Sequence, residues 1–483
     1  MFKLRRLKNQ KISIILFVQI LFYTFPLSFI LGNAAVSLNC ILFIISGLFL
    51  IKSNKLDVRF GIIFWIFFIF LLYFFINTLI QFSFPGLIWI DYVPTAIEAY
   101  GEFSIQKWMS VNGNPTLKTF FLFRLLLLIF IIDCLFFNKV INLKTFFLSS
   151  FVCTLFVSFD IIFQYIFGTD LFGYKKQGAW SSGPFGDEKI ATTYLKNFSF
   201  ISFFYFFELM KDKKYNKVIF ILFVTFYLIA SLLGGNRMPM LILVTGCVLV
   251  VIFIPRLRLL MSLSLILFLI FFSLIVNNDK YFKITYSGFI NDLNITKLFK
   301  GDKDKKVNGE SVTGEGKDIS NKKSDKISLL RNSSHNRVFW TAILIWKEQP
   351  LTGLGFKSYR LKCVEFLAND IINKNNNNEP QKITCSNHAH NYYLEILAES
   401  GILGLSCFLV LFFILIKNSV IFLKKYLRNN NQNKFFIIPL IIILFLEIWP
   451  IQSTGSFFTS WGATFFWLNI GLLIPNIIKK KQY

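Results

Sequence analysis

Two of the three histidines of this chain stand two residues apart, in Asn387-His388-Ala389-His390-Asn391. The sequence runs from there straight into Tyr392-Tyr393-Leu394-Glu395-Ile396-Leu397-Ala398-Glu399-Ser400-Gly401. An imidazole with its ordinary pKa of about 6.5 is largely neutral at pH 7 and able to take a proton from a hydroxyl. Asn391 is placed to cap a helix in which Leu394, Leu397 and Ala398 fall at helical spacing and Glu395 and Glu399 stand one turn apart. Gly401-Ile402-Leu403-Gly404 then opens an apolar run long enough to cross a bilayer. A titratable, polar cluster therefore lies directly outside a helix that enters a membrane. Tyr, Asn and His are also at home among headgroups, so the histidine pair alone does not separate chemistry from interfacial anchoring.

The elements that must hold this cluster are set by composition. Hydrophobic residues make up 55% and charged residues 16% of the 483, with 62 Phe, and the apolar residues gather in long runs. This composition is that of an integral membrane protein. The expected fold is an all-α integral membrane protein of about twelve transmembrane helices. The spans fall at roughly 12–31, 34–51, 60–80, 120–137, 145–167, 190–209, 217–233, 238–254, 257–276, 401–422, 435–451 and 457–478. A basic stretch (Lys3, Arg5, Arg6, Lys8, Lys11) precedes the first run and no small-residue cleavage site follows it, so that run is expected to be a retained span.

With the N-terminus inside, alternate connections carry most of the positive charge: Lys52, Lys55 and Arg59; Lys139 and Lys144; Lys211, Lys213, Lys214 and Lys217; Arg256 and Arg258; Lys424, Lys425, Arg428 and Lys434; Lys479, Lys480 and Lys481. The short connections between them carry fewer. This asymmetry predicts cytoplasmic termini. Much of the net charge of +25 is then a topology signal and calls for no nucleic-acid partner. Three regions follow: 1–276 with helices one to nine, a large outside loop at 277–400 carrying short helices, and 401–483 with the last three helices and a cytoplasmic tail.

The outside segments carry the remaining candidate residues. In 83–118, Trp89, Tyr92, Tyr100 and Trp108 alternate with Pro94, Gly101 and Gly113, as in short helices lying along the interface and packing over the bundle. Ser181-Ser182-Gly183-Pro184-Phe185-Gly186-Asp187-Glu188 reads as a tight turn that brings Asp187 and Glu188 to a helix N-terminus, where the dipole favours them. Gly234-Gly235-Asn236-Arg237-Met238-Pro239 sets Arg237 at the membrane boundary, where a lone arginine ordinarily snorkels. The Lys, Asp, Gly, Ser and Asn-rich tract 297–326 cannot bury a core and is expected to be disordered. Its Asp302-Lys303-Asp304 mimics a metal-binding pattern, but no metal is assigned. From Ser333-Ser334-His335-Asn336-Arg337 a helix should run to about Glu348 and stop before Pro350. Arg337 gains nothing from the dipole in that first turn unless it and the helix N-terminus converge on an anion. A glycine turn, Leu351-Thr352-Gly353-Leu354-Gly355-Phe356, follows. Arg124, Asp160 and Glu447 fall near the outer ends of their helices, where ionisable groups line a cavity or pair with one another.

Taken together these segments resemble a family. His390-Asn391, nine residues, Gly401, two residues and Gly404 are similar to the signature of the bacterial O-antigen ligases, within the O-antigen ligase/polymerase family of multi-spanning glycosyltransferases. That family places the motif at the end of a large periplasmic loop. Gly183 to Glu188, the Arg237 turn, the run from Arg337 through Trp346, Pro350, Gly353 and Gly355, and the last outside turn (Glu447-Ile448-Trp449-Pro450, Ser453 to Phe458) resemble it in the same order. Residues 1–170 match only in span pattern, and the 297–326 insert departs from it.

The resemblance implies an inner-membrane enzyme of lipopolysaccharide biosynthesis whose site faces the periplasm. It would move a glycan from a polyprenyl-diphosphate carrier to a sugar hydroxyl, on lipid A-core for a ligase or on a lipid-linked glycan for an O-antigen polymerase. The donor carries its own leaving group, so no nucleotide, ATP, cofactor or metal is implied. The expected roles are Arg237 and Arg337 on the diphosphate and His390 as base, with His388, Asn391, Asp187, Glu188, Glu447 and Arg124 around them. Outside the class, a polysaccharide flippase or secondary transporter also fits twelve spans, but it should concentrate charges and broken helices at the midplane.

Five of the seven cysteines (Cys40, Cys134, Cys153, Cys247, Cys407) fall in expected spans, where Cys behaves as a small hydrophobe. Cys363 and Cys385 share the outside loop, and an oxidising periplasm favours a disulfide between them. Closing that loop would stabilise by roughly 3 kcal/mol in the chain-entropy treatment.

Overall fold

Each of the twelve apolar runs forms helix. The computed structural model describes residues 2–58, 60–83, 97–99, 101–102, 104, 114–292, 334–375, 383–429, 432–450, 452–453 and 455–478. Most of the expected interfacial segment 83–118, and all of the 297–326 tract with Asp302-Lys303-Asp304, lie outside these residues. The helices are α1 (Phe2–Tyr23), α2 (Phe25–Ile30), α3 (Asn33–Asn54), α4 (Ile62–Ser83), α5 (Pro115–Phe121), α6 (Phe123–Phe137), α7 (Leu143–Phe167), α8 (Ala191–Met210), α9 (Asn216–Leu233), α10 (Arg237–Phe253), α11 (Arg258–Asn278), α12 (Lys280–Asp292), α13 (Ser334–Glu348), α14 (Ser358–Asn375), α15 (Tyr392–Asn429), α16 (Ile438–Glu447) and α17 (Ser460–Ile477).

Among the described residues, seven helical stretches are long and apolar enough to cross a membrane: α3, α4, the α5–α6 stretch, α7, α9, α11 and α15. The chain is a multi-pass, all-helical membrane protein. The other five expected spans are helical but fall short by that measure. The apolar part of the first is Ser13–Tyr23, and α10 has 17 residues. α8 carries Lys196 and Glu208, and α17 carries Asn469 and Asn476. α16, read from sequence as 435–451, has only 10 residues. At 1.5 Å per residue it reaches about half the hydrocarbon thickness.

Two of the expected spans are interrupted. The first, read as continuous over 12–31, breaks at Thr24 because Pro26 has no backbone N–H and starts a new helix instead. Backbone oxygens beside this break are taken by other helices. Tyr194 Oη donates to Pro26 O at 3.0 Å and Trp461 Nε1 to Phe29 O at 3.0 Å. The fourth is jogged at Leu122, between α5, capped by Asn114, and α6.

One continuous apolar core runs through the bundle. It is largely aromatic: Phe67 stacks on Trp467 with ring centroids 3.7 Å apart, and Phe29 meets Trp461 edge-on at 5.2 Å. Some polar groups inside it bond across helices. Thr154 shares its hydroxyl with Ser202 (2.5 Å) and Tyr227 (3.1 Å), and Asn469 donates to Leu440 O at 3.1 Å.

A second, small apolar core lies apart from this one. It is formed by α13, α14, the segment 383–389 and the first turns of α15, around Val338, Ile345, Tyr359, Cys363, Ala389 and Ala398. The histidine pair stands on it.

Candidate functional site

The loop that carries His388 and His390 is fastened residue by residue. Ile383 N donates to Asp370 Oδ2 of α14 at 3.2 Å, and Thr384 N to Thr341 Oγ1 of α13 at 3.4 Å. Cys385 is joined to Cys363 of α14 by a disulfide with Cα atoms 5.6 Å apart. Ala389 is fully buried between the two half-buried histidines. Asn391 ends the loop as the cap of α15, its Oδ1 accepting from Tyr393 N (3.0 Å) and Leu394 N (3.2 Å). Its Nδ2 donates to Pro450 O (2.9 Å) and Gln452 O (3.2 Å), which pins the turn between α16 and α17 to the same point.

Within this frame the imidazoles are close and oriented. Their ring centroids are 4.2 Å apart. His390 has φ +54°, a left-handed conformation that costs a residue with a Cβ about 1 kcal/mol or more. Ser386 Oγ donates to His388 O at 2.9 Å and lies 3.0 Å from His390 Nε2. Which of the hydroxyl and the ring nitrogen donates in that contact follows the ring's tautomer.

The glycines of the motif explain how α15 is aimed. The helix breaks at Gly401, φ +64°, where a Cβ would lie 2.2 Å from Leu351 O. Gly353, φ +68°, meets it from the other side: a Cβ there would lie 2.5 Å from Gly401 N. The two turns touch backbone to backbone. Gly355 N donates to Glu399 O at 2.9 Å and Ile402 N to Pro350 O at 2.9 Å. α4 locks the joint from the bundle side: Tyr73 Oη donates to Thr352 O or Ser400 O, each at 2.9 Å, and Asn77 Nδ2 to Thr352 O at 2.9 Å. The spacing from His390-Asn391 to Gly401 is thus the distance from the capped loop to a backbone joint.

One turn below the cap, Glu395 is buried and fully answered. Its oxygens accept from Ser456 Oγ at 2.5 Å and Phe457 N at 2.7 Å. Glu399 is equally buried and receives the Lys357 backbone N–H, while its Oε2 has no hydrogen-bond partner among the described residues.

The arginines stand at helix starts. Arg237 is the first residue of α10, beyond a turn seated on the 168–190 loop: Ser181 N donates to Leu233 O at 3.1 Å and Asn236 Nδ2 to Lys189 O. A Cβ on Gly235 would lie 2.4 Å from the Trp180 ring, so only glycine fits. Arg237 itself donates to Thr285 O of α12 at 3.3 Å. Arg337 lies in the first turn of α13, which packs on α14 and α15. Its Nε is buried without a hydrogen-bond partner among the described residues.

Three of the expected carboxylates have partners or surroundings of their own. Asp187 and Glu188 do not cap α8. The 3-10 turn at Gly183–Phe185 and the left-handed Gly186 end too early, the cap position falls on Ile190, and no side chain caps it. Asp187 instead accepts from Gln177 Nε2 at 2.9 Å and Glu188 is exposed. Glu447 is tied up in a buried ion pair with Lys196, 2.5 Å from Nζ. Arg124 lies beside the start of α17, donating to Ser460 Oγ at 2.8 Å. Sequence reasoning passed over Lys196, Ser386 and Lys357. Only Lys196, a lysine six residues into an apolar helix, carried a signal.

Residues 220–409 match the family model described as O-antigen ligase, and no curated protein matches the chain. The matched stretch begins in α9 and ends in α15. It takes in Arg237, Arg337, the disulfide and the histidine loop, and leaves Arg124, Asp187, Glu188 and Glu447 outside.

Proposed function

We propose that this O-antigen ligase-like membrane protein is a glycosyltransferase of the bacterial inner membrane. With its termini cytoplasmic and its histidine loop periplasmic, it moves a glycan from a polyprenyl diphosphate to a hydroxyl of lipid A-core. The observation that carries this reading is the His390 loop. It is strapped to a small apolar core at the mouth of a span, with Ser386 Oγ 3.0 Å from His390 Nε2 and a glycine joint behind it.

In the proposed reaction Arg237 and Arg337, each at a helix start, grip the diphosphate through their planar forks. The bond from the anomeric carbon to the diphosphate oxygen breaks, and the arginines stabilise the charge that develops there. The acceptor hydroxyl attacks the same carbon, and its proton passes to the His390 imidazole and then to water. The products are the new glycosidic bond and polyprenyl diphosphate.

The test is the lipopolysaccharide of a strain lacking the gene. Core-only lipopolysaccharide with accumulated lipid-linked polymer is expected. Core carrying a single repeat would mean a polymerase, and unchanged banding would overturn both.

A further inference from the structure

The loop that seats the Arg237 turn also carries an open cleft, which the proposed transfer leaves unused. It has a volume of about 410 Å³ and is lined by Phe167 at the end of α7, Thr169, Lys175 and Lys176 of the following loop, and Tyr281 of α12. That size falls among small-molecule sites, which run from about 300 to 1,000 Å³. One wall is a tight turn: Lys176 N donates to Gly168 O at 2.9 Å and Asp170 N to Tyr174 O at 3.0 Å. Asp170 Oδ1 holds that turn by accepting from Phe172 N and Tyr174 N. Asp279 sets the other wall, its Oδ1 accepting from Tyr281 N at 2.9 Å and its Oδ2 from Tyr165 Oη at 3.3 Å. Lys176 Nζ ties the two together, 3.6 Å from Asp279 Oδ2 and 4.1 Å from the Tyr165 ring centroid. The walls meet at Gly178, where a Cβ would lie 3.8 Å from Tyr281 Cδ1. The cleft is thus held open by its own bonds.

Its lining alternates uncovered rings with hydrogen-bonding groups. Phe167 and Tyr281 are 66% and 58% exposed, and the lysine ammoniums and the Thr169 hydroxyl stand between them in the lining. A pyranose has an apolar C–H face and a rim of hydroxyls, so it can lie on a ring while its edge accepts from an ammonium. A polyprenyl chain would give those ammoniums nothing to donate to. The cleft also stands beside Arg237 by two routes. Tyr281 and Thr285 lie one turn apart on one face of α12, and Thr285 O receives the Arg237 guanidinium. The loop that carries Lys175 and Lys176 runs on to Trp180, against which Gly235 of the Arg237 turn is packed. Exposed Ile166, Leu171 and Phe172 beside the cleft suit the headgroup boundary, the depth of a lipid-linked diphosphate.

We propose that this cleft binds the sugars of the lipid-linked donor that follow the reacting one, with Tyr281 and Phe167 as stacking faces and Lys175 donating to ring hydroxyls. The identification of the sugars as the donor's rests on the transferase reading above. Tyr281 then determines specificity and takes no part in the bond that breaks or forms.

The test uses full-length protein in phosphatidylcholine nanodiscs and two donors, polyprenyl diphosphate bearing one sugar and the same carrier bearing a whole repeat. In Tyr281→Ala the KM for the longer donor should rise about three- to tenfold, the worth of one aromatic stacking contact, with kcat held. Tyr281→Phe keeps the ring and should keep the KM. Lys175→Met should raise it less than Tyr281→Ala. An equal rise for both donors, no rise for either, or a rise in KM for the acceptor alone would overturn the proposal. A second arm needs no turnover: saturation-transfer NMR with the free oligosaccharide released by mild acid from the strain's lipid-linked polymer. Signal is expected with the wild-type protein and not with Tyr281→Ala. No signal with the wild-type protein, or equal signal with both, would overturn the sugar site. Signal without transfer to any acceptor would keep the sugar site and overturn the transferase reading. Signal lost when phosphatidylglycerol replaces the phosphatidylcholine would give the cleft to lipid headgroups and overturn the proposal.

Discussion

The membrane bundle and the small outer core are held by different means. In the bundle, Phe22, Phe25, Phe43 and Phe146 meet in tilted and edge-on pairs, repeated with other partners along the whole core. Any one contact there has many neighbours to share its load. The outer core has few large side chains and is closed instead at single points: one disulfide, one capping asparagine and one pair of facing glycines. Distributed packing gives a body that tolerates substitution, whereas point closure gives a position. A reacting loop needs the second kind of support, because small misplacements of a catalytic group cost large factors in rate.

Substitutions can break or sharpen this contrast. The largest expected effect is chemical: His390→Ala should lower transfer by about 10²–10⁴-fold, the range of general-base catalysis, with the thermal midpoint nearly unchanged. His388→Ala should lower it less. Transfer at the wild-type rate by purified His390→Ala would remove the assignment.

Next comes Gly401→Val, which places a Cβ against Leu351 O in a left-handed backbone. A loss of about 3 kcal/mol or more is expected, seen as failure to accumulate or a collapsed midpoint. Opening the bridge by Cys363→Ala with Cys385→Ala should cost the outer core about 2–4 kcal/mol and expose the 383–391 segment to protease. The unreduced protein should resist alkylation at both cysteines, and full labelling of both would refute the bridge. Asn391→Ala should cost about 1–2 kcal/mol through the lost cap and the released Pro450 and Gln452 carbonyls, again with a loss of transfer.

The smallest effect is expected in the other region. Phe67→Leu, against Trp467, should cost about 1 kcal/mol and leave transfer as it was. If it disturbed transfer as much as Asn391→Ala, the two regions would not differ in the way described.

How much of this was legible in the sequence follows the same division. Helices in the bundle announce themselves by apolar length, and the joint and cap by residue types with few other uses: glycine where φ is positive, asparagine at a helix start. The 22-residue separation of Cys363 and Cys385 was short enough to read within one loop. Long-range pairing was not legible. Lys196 and Glu447 lie 251 residues apart, and either one alone looks like an interfacial charge. Asp187 and Glu188 read as caps because carboxylates favour helix starts, while the early end of the Gly183–Phe185 turn depends on how the loop seats on its neighbours. Lys357 looked like any surface lysine after a glycine turn. Its burial is a property of the groups around it, and no spacing in the chain encodes that.

The break at Gly401 also has a mechanical side. A transmembrane helix takes its tilt from bilayer thickness and from its neighbours. In α15 such a tilt acts on the part beyond Gly401, while the part before it is moored to the disulfide-bonded core and to the 450–457 turn. The joint is gripped by α4 and the Leu351–Gly353 turn, between the long apolar part of α15 and the imidazoles. A lean of the long part of α15 would then be taken up at Gly401 rather than at the histidine loop.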